Sequence, residues 1–358
     1  MQSTQTSERH SCTLQEILSQ PQVWRDTLNE LHANHSLQTV VEKTGSGSHW
    51  LFVGCGTSYY LAEAAAASWT LLTGQLARAL PASELLLFPE LTLARSAGLQ
   101  AVIISRSGST SEAVRAARLL SREYGVPTLG LTCAANSPLE VECAVTIRLS
   151  TADERSVVMT RSFTSMLLAL QQLAGRKNAE SSFSASLENM PGHFSKQIQA
   201  LANRTEAFVA GRKFADYIFL GQGPFHAIAR EASLKITEMS CSYSQVYHTL
   251  EFRHGPKAIV VPEICLTFFL SESGYQAEAE VLSEMKELGG TIIAVCNRAS
   301  ESVRRSSDFI FEFDLDGPEL ATLAPFAVFA QLLGFYTGVK KGLNPDQPRN
   351  LSRVVILD

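Results

Sequence analysis

Residues 50–58 read Trp-Leu-Phe-Val-Gly-Cys-Gly-Thr-Ser, and residues 217–223 read Tyr-Ile-Phe-Leu-Gly-Gln-Gly. In each, four apolar residues run without a break into a Gly-x-Gly turn, and a helical pattern follows: Leu61 to Leu72 in the first, onward through Met239 in the second. Continuous apolar strands alternating with helices indicate a parallel α/β sheet covered on both faces. The pairing extends outward. Ala101-Val-Ile-Ile104 enters Ser105-Arg-Ser-Gly-Ser-Thr110, with a helix expected from Glu112 to Tyr124. Leu266-Thr-Phe-Phe-Leu270 enters Ser271-Glu-Ser-Gly274, with a helix expected through Leu288. Thr128 to Thr132 and Val145 to Leu149 complete the first set of strands; Thr291 to Val295 and Phe309 to Phe313 complete the second.

Arithmetic supports a duplication. Gly54 and Gly56 map onto Gly221 and Gly223 at a shift of 167. Ser105, Ser107 and Gly108 map onto Ser271, Ser273 and Gly274 at 166, and the third strands match at 163. A nearly constant shift over collinear segments is the signature of a tandem repeat. The expected plan is a helical arm in 1–48 (Leu14 to Leu31), a first α/β domain in 49–174 and a connection in 175–212. A second α/β domain follows in 213–343, closing with a helix from Glu319 to Lys340, and the tail is 344–358.

The 358 residues carry 30 Lys+Arg against 35 Asp+Glu, a formal charge of −5. A protein gripping a nucleic-acid backbone carries a basic excess, so nucleic acid is not an expected partner. The seven cysteines include no C-x-x-C pair, and several lie in apolar runs, which reads as buried thiols in a reducing compartment. The first ten residues are polar and lack a signal-peptide core. Glu63, Ser68 and Thr70 interrupt the richest apolar stretch, so no membrane span is expected either, and the reading is cytoplasmic.

Ligand sites in parallel α/β sheets lie beyond the C-terminal strand ends. Two first-copy turns there, 54–58 and 105–110, combine glycine, hydroxyls and a helix N-terminus, which suits a phosphate monoester; helix capping explains such residues equally well. Neither is a Walker loop, and Tyr59 stands where a dinucleotide fingerprint needs its third glycine. The second-copy loop carries Glu272, which would repel a phosphate, so one phosphate site per chain is expected. The second copy instead places Glu231, Lys235 and Glu238 at i, i+4 and i+7 on one helix face, with His254 before a Gly-Pro turn. On spacing alone, Glu231 and Lys235 read as a surface ion pair and His254 as a turn residue. No zinc-binding H-E-x-x-H spacing and no G-x-S-x-G elbow occur. A carboxylate and an imidazole remain, which suffice for proton transfer beside a carbonyl.

From about Trp50 to the C-terminus, the chain resembles the isomerase half of glucosamine-6-phosphate synthase and the wider sugar-isomerase (SIS) domain family. The motifs are Gly-Cys-Gly-Thr-Ser (54–58), Ser-Arg-Ser-Gly-Ser-Thr (105–110), Ala-Arg-Glu-Ala-Ser-Leu-Lys-Ile-Thr-Glu (229–238), Phe-Arg-His-Gly-Pro (252–256) and Asp-Gln-Pro-Arg-Asn-Leu-Ser (346–352). The resemblance implies two tandem SIS domains, each a flavodoxin-like three-layer sandwich. It implies that Thr57, Ser58, Ser105, Ser107 and Thr110 hold a sugar phosphate, with Arg106, where the synthase pattern has Gln, adding a fixed positive charge. Glu238 would move a proton between C1 and C2 of the open-chain sugar, and Lys235 and Glu231 would support it. His254 would assist ring opening from the neighbouring subunit of a homodimer with a shared active site. No metal or organic cofactor is implied.

Two departures separate the chain from the synthase. Residue 2 is Gln, and about fifty residues precede the first strand, so no glutaminase domain is expected. The tail has Arg353 where the synthase has an imine-forming lysine, and a guanidinium stays protonated and cannot act as an amine nucleophile. The expected function is deamination of an amino-hexose 6-phosphate, such as glucosamine 6-phosphate, to a ketose 6-phosphate and ammonia. A fructosamine-6-phosphate deglycase, with loop 241–250 facing the variable end of the substrate, is an alternative, as is a plain aldose–ketose isomerase. A non-catalytic sugar-phosphate sensor is the alternative of another class.

Overall fold

The computed structural model describes residues 11–33, 36–43, 49–93, 97–178 and 181–357; the polar N-terminal stretch 1–10 lies outside them. Two compact units emerge. One comprises Gln20–Arg155, Arg161–Pro191 and Ser352–Asp358, the other Met1–Ser19, Ser156–Thr160 and Gly192–Leu351.

The first-copy unit holds strands β1 (His49–Gly54), β2 (Leu76–Pro81), β3 (Leu99–Ile104), β4 (Thr128–Thr132) and β5 (Val145–Arg148). All pair in parallel, in the order β2-β1-β3-β4-β5. The second-copy unit holds β6 (Asp216–Gly221), β7 (Ser244–His248), β8 (Ile264–Phe269), β9 (Thr291–Cys296) and β10 (Phe309–Glu312), in the matching order β10-β9-β8-β6-β7. β3 and β8 are buried at every residue, as central parallel strands must be.

β2 and β7 go beyond the four strands per copy read from the sequence. Each is an edge strand beside the first strand of its copy, and Trp50↔Ala77 and Tyr217↔Ser244 share a separation of 27 residues. The duplication therefore extends to a fifth strand. β7 also corrects the reading of 241–250 as an open loop, since 244–248 of it is sheet.

Other boundaries moved for local reasons. The expected arm Leu14 to Leu31 breaks at Ser19 into helices Cys12–Leu18 and Gln20–Ala33. The expected helix 112–124 is α-helical over Ser111–Arg118 and closes with a wider π turn, Leu119–Glu123. The expected connection 175–212 is helical throughout its described core: Arg161–Lys177 runs into it, then Ser181–Phe194 and Ile198–Ala210 follow. Gly175 is buried inside the first of these, and Phe183, Leu187, Met190 and Phe194 form a fully buried stripe along the second. Glu319–Lys340 is long and apolar enough by length and composition to cross a membrane, which corrects the sequence expectation, but its most apolar window is wholly buried within the fold.

The helical part of that segment, Leu323–Lys340, packs against helix Pro224–Ser240 through glycines. A Cβ at Gly338 would lie 2.2 Å from the Met239 carbonyl oxygen, and one at Gly334 would lie 2.8 Å from the Lys235 carbonyl oxygen. Backbone cannot yield as a side chain does. Gly338→Ala is therefore expected to destabilise the fold by roughly 2–3 kcal/mol. Urea unfolding would show it as a lower midpoint at unchanged slope; an unchanged midpoint would contradict this packing.

Candidate active site

The same strand–turn–helix device opens both copies. Gly56 sits at φ 54, ψ −125 and Gly223 at φ 53, ψ −129, each just before a helix, Thr57–Thr73 and Pro224–Ser240. That region suits glycine alone. One residue earlier in each turn, a Cβ on Gly54 would meet the Ser58 carbonyl oxygen at 2.3 Å, and one on Gly221 would meet that of Phe225 at 2.4 Å.

In the first copy, Thr57 and Ser58 lie buried in the first turn of their helix, beyond the C-terminal end of β1. Beyond β3, the Ser105 hydroxyl donates to Thr110 Oγ1 at 3.2 Å, and the Ser109 N–H donates to Ser107 Oγ at 3.2 Å. Gly108, at φ +61, closes the turn with its N–H on the Ser105 carbonyl at 3.0 Å. A Cβ there would lie 2.3 Å from Ser137 Oγ, so glycine is required. The helix that follows, Ser111–Arg118, receives no side-chain cap from Thr110. Hydroxyls and a helix N-terminus thus gather at one loop, as an anion site needs.

Arg106 differs from the expectation. Its guanidinium is buried and ion-paired with the equally buried Glu154 at 3.1 Å, and it also donates to the Arg353 carbonyl at 3.0 Å. Its charge is compensated within the unit, so it adds no free positive charge for a phosphate. Glu154, which the sequence reading missed, also accepts the Ser162 hydroxyl. Arg353 itself pairs with Asp153. The tail runs on from there, and the Val355 carbonyl accepts the Ser111 N–H at 3.3 Å.

In the second copy, Glu231, Lys235 and Glu238 come together, and not as a surface pair. Lys235 Nζ lies 3.3 Å from Glu231 Oε1 and 2.5 Å from Glu238 Oε2. The Glu231 and Lys235 side chains are fully buried, while Glu238 keeps 17% of its side chain exposed. Burial alone would push the Lys235 ammonium pKa down; the charges of Glu231 and then Glu238 outweigh it and hold the pKa above the ordinary lysine value. Of the three, only Glu238 has a surface that a substrate can reach. Lys235 Nζ thus stands between the two carboxylates, one buried and one partly exposed.

His254 is exposed, between the short 3₁₀ turns Glu251–Arg253 and Pro256–Ile259. Among the described residues, no hydrogen bond or ion pair joins its imidazole to the Glu231–Lys235–Glu238 group. The two lysines at the end of helix Leu323–Lys340 are both hydrogen-bonded: Lys340 Nζ donates to the Val209 carbonyl at 2.7 Å, and Lys341 Nζ to Ser242 Oγ at 2.6 Å. A stacked histidine pair, His226 and His248, with ring centroids 3.8 Å apart, had no sequence signal. Burial first, then His248 and Arg230, push His226 down to about 4. All seven cysteines are free thiols, four of them buried, but Cys241 is exposed, which departs from the buried reading.

Two duplicated parallel sheets, with a hydroxyl-rich loop at one and a buried carboxylate–ammonium group beside the other, define an α/β protein of the tandem sugar-isomerase type. The SIS domain profile matches residues 46–176 and again 213–333, and the chain belongs to that family. Among curated relatives, the glutamine–fructose-6-phosphate aminotransferase of Methanothermobacter thermautotrophicus is 26% identical over 350 residues, covering 96% of this chain and 57% of the relative. The chain thus spans between half and three-fifths of the length of that aminotransferase and another. A provisionally named D-galactosamine-6-phosphate deaminase of Streptomyces coelicolor is 25% identical, covering 94% of this chain and 91% of the relative. Among solved structures, the glucosamine-6-phosphate deaminase of Thermotoga maritima has a TM-score of 0.79 at 27% identity, covering 97% of this chain and all of that one.

Proposed function

We propose that this chain is a phosphosugar enzyme that deaminates an amino-hexose 6-phosphate, releasing ammonia and a ketose 6-phosphate. The observation that carries the reading is the group around Lys235. A base that removes a carbon-bound proton must be ionised, accessible and fixed. Glu238 is accessible and held by a buried ammonium that Glu231 holds in turn.

In this reading Thr57, Ser58, Ser105, Ser107 and Thr110 take the phosphate through neutral donors. The exposed His254 imidazole, contributed by the neighbouring subunit of a homodimer, opens the pyranose ring. Glu238 then takes the C2 proton, which the C1 carbonyl acidifies, and returns a proton to C1. The product of that transfer is a C2 imine, and water releases ammonia from it. The similarity to deaminases that match this chain over nearly its whole length supports the same reading. So does Arg353: a guanidinium at that tail position cannot form an imine with a ketose, which disfavours the reverse, aminating direction.

An ammonia-release assay over glucosamine 6-phosphate, galactosamine 6-phosphate and fructosamine 6-phosphates tests the proposal. Ammonia and ketose phosphate from one amino-hexose are expected. An amine released only from fructosamine phosphates would make the chain a deglycase, and aldose–ketose interconversion without ammonia an isomerase. Tight binding with no turnover would leave a sensor.

A further inference from the structure

The second copy retains the loop that in the first copy faces the proposed phosphate, and in this chain that loop already holds an anion. Ser271, Ser273 and Gly274 stand where the first copy has Ser105, Ser107 and Gly108, and helix Tyr275–Glu287 follows. The carboxylate of Glu319, which lies beyond β10, sits on the loop. It accepts the Glu272 N–H at 2.6 Å, the Ser273 N–H at 3.3 Å and the Ser273 hydroxyl at 2.5 Å. Two successive backbone N–H groups and a serine hydroxyl converging on one anion form the kind of nest that binds phosphate oxygens. Here the anion comes from a residue 46 positions away on a separate element.

The rest of the loop is arranged around that occupant. Glu272, expected to repel a phosphate, turns its carboxylate aside to accept the Asn297 amide at 2.6 Å. Glu278, fully buried behind the loop, accepts the Ser271 N–H at 3.3 Å and the Ser271 hydroxyl. It makes no bond to the 272 and 273 donors, which remain for the outer anion. Glu319 itself opens the 3₁₀ turn Glu319–Thr322 that leads into the buried helix Leu323–Lys340, so its backbone is anchored.

We infer that Glu319 is a built-in occupant of the second copy's phosphate cradle, holding the chain to one phosphosugar, and that without this carboxylate the loop Ser271–Gly274 binds a phosphate monoester. The inference rests on the phosphate role proposed above only for the count of one in the unaltered chain. A tethered carboxylate needs no association step, so it outcompetes free phosphate at ordinary concentrations.

Equilibrium dialysis with phosphorus-labelled glucosamine 6-phosphate measures the count directly, since the label stays on substrate and ketose product alike. One bound label per chain is expected for the unaltered protein and two for Glu319→Ala. One label in both would overturn the inference while leaving the proposed function standing. None in the unaltered protein and one in Glu319→Ala would uphold the cradle and overturn the first-copy phosphate site. Two labels in the unaltered protein, or none in either, would overturn the inference. Should Glu319→Ala fail to fold, Glu319→Gln, which keeps the shape and removes the charge, gives the same count: two expected, with the second site about tenfold weaker than the first, and one contradictory.

Discussion

Glu238→Gln is expected to lower turnover by about 10²–10⁴-fold, the range that positioned acid–base groups contribute, while phosphosugar binding stays measurable. The reasoning is geometric. Glutamine keeps the length of the side chain, and its amide oxygen still accepts from Lys235 Nζ, so the Glu231–Lys235 arrangement persists. What is lost is the capacity to take a proton from carbon. A kinetic series on the substrate found by the ammonia-release panel would show the loss in kcat with KM little changed. Turnover within tenfold of the unaltered protein would remove Glu238 from the chemistry.

Lys235→Met is expected to be the most damaging single change to stability. Removing one partner of a buried ion pair leaves the other charged and uncompensated, which costs about 3–5 kcal/mol. Here Glu231 has no exposed surface, so water cannot replace the ammonium. The double variant Lys235→Met/Glu231→Leu removes the stranded charge and is expected to regain much of the loss, because a well-packed apolar pair often matches a buried ionic one. Urea unfolding of the single and double variants measures both. Equal instability in the two would mean that packing, not charge, governs this site. The pH dependence has a definite sign. With its folded pKa above the ordinary lysine value, Lys235 contributes its full stabilisation below the ordinary value, and this is lost only as pH rises from there through the raised one.

The parts of the fold that were legible are those in which every residue of a segment shares one environment. β3 and β8 are buried throughout, so their apolar runs stood out, and the Gly-x-Gly turns could be aligned because backbone torsion leaves glycine no substitute. Edge strands carry a weaker mark. β2 alternates exposed and half-buried residues over its first four positions, and Ser-Gln-Val-Tyr-His in β7 is half-buried at best, so neither shows a continuous apolar run. At the site, the spacing of Glu231, Lys235 and Glu238 placed them on one face, but spacing cannot tell a buried face from a solvated one. The packing of helix Leu323–Lys340, through Gly334 and Gly338, supplies that difference. Pairings between distant residues left no local trace. Arg106 meets Glu154 across 48 residues, and Glu319 reaches the 271–274 loop across 46. In both cases one member of the pair, Glu154 or Glu319, lies outside every motif.

Turnover in deuterium oxide tests whether Glu238 carries a proton between two carbons of a phosphosugar. Because Glu238 keeps 17% of its side chain exposed, exchange of the abstracted proton with solvent before its return is expected. Proton NMR of the ketose phosphate made from an amino-hexose 6-phosphate is therefore expected to show deuterium at C1 in the unaltered protein. Glu238→Gln should form neither labelled ketose nor ammonia. Labelled product from Glu238→Gln at the unaltered rate, or a phosphosugar that binds and leaves with no carbon-bound hydrogen exchanged, would contradict the account.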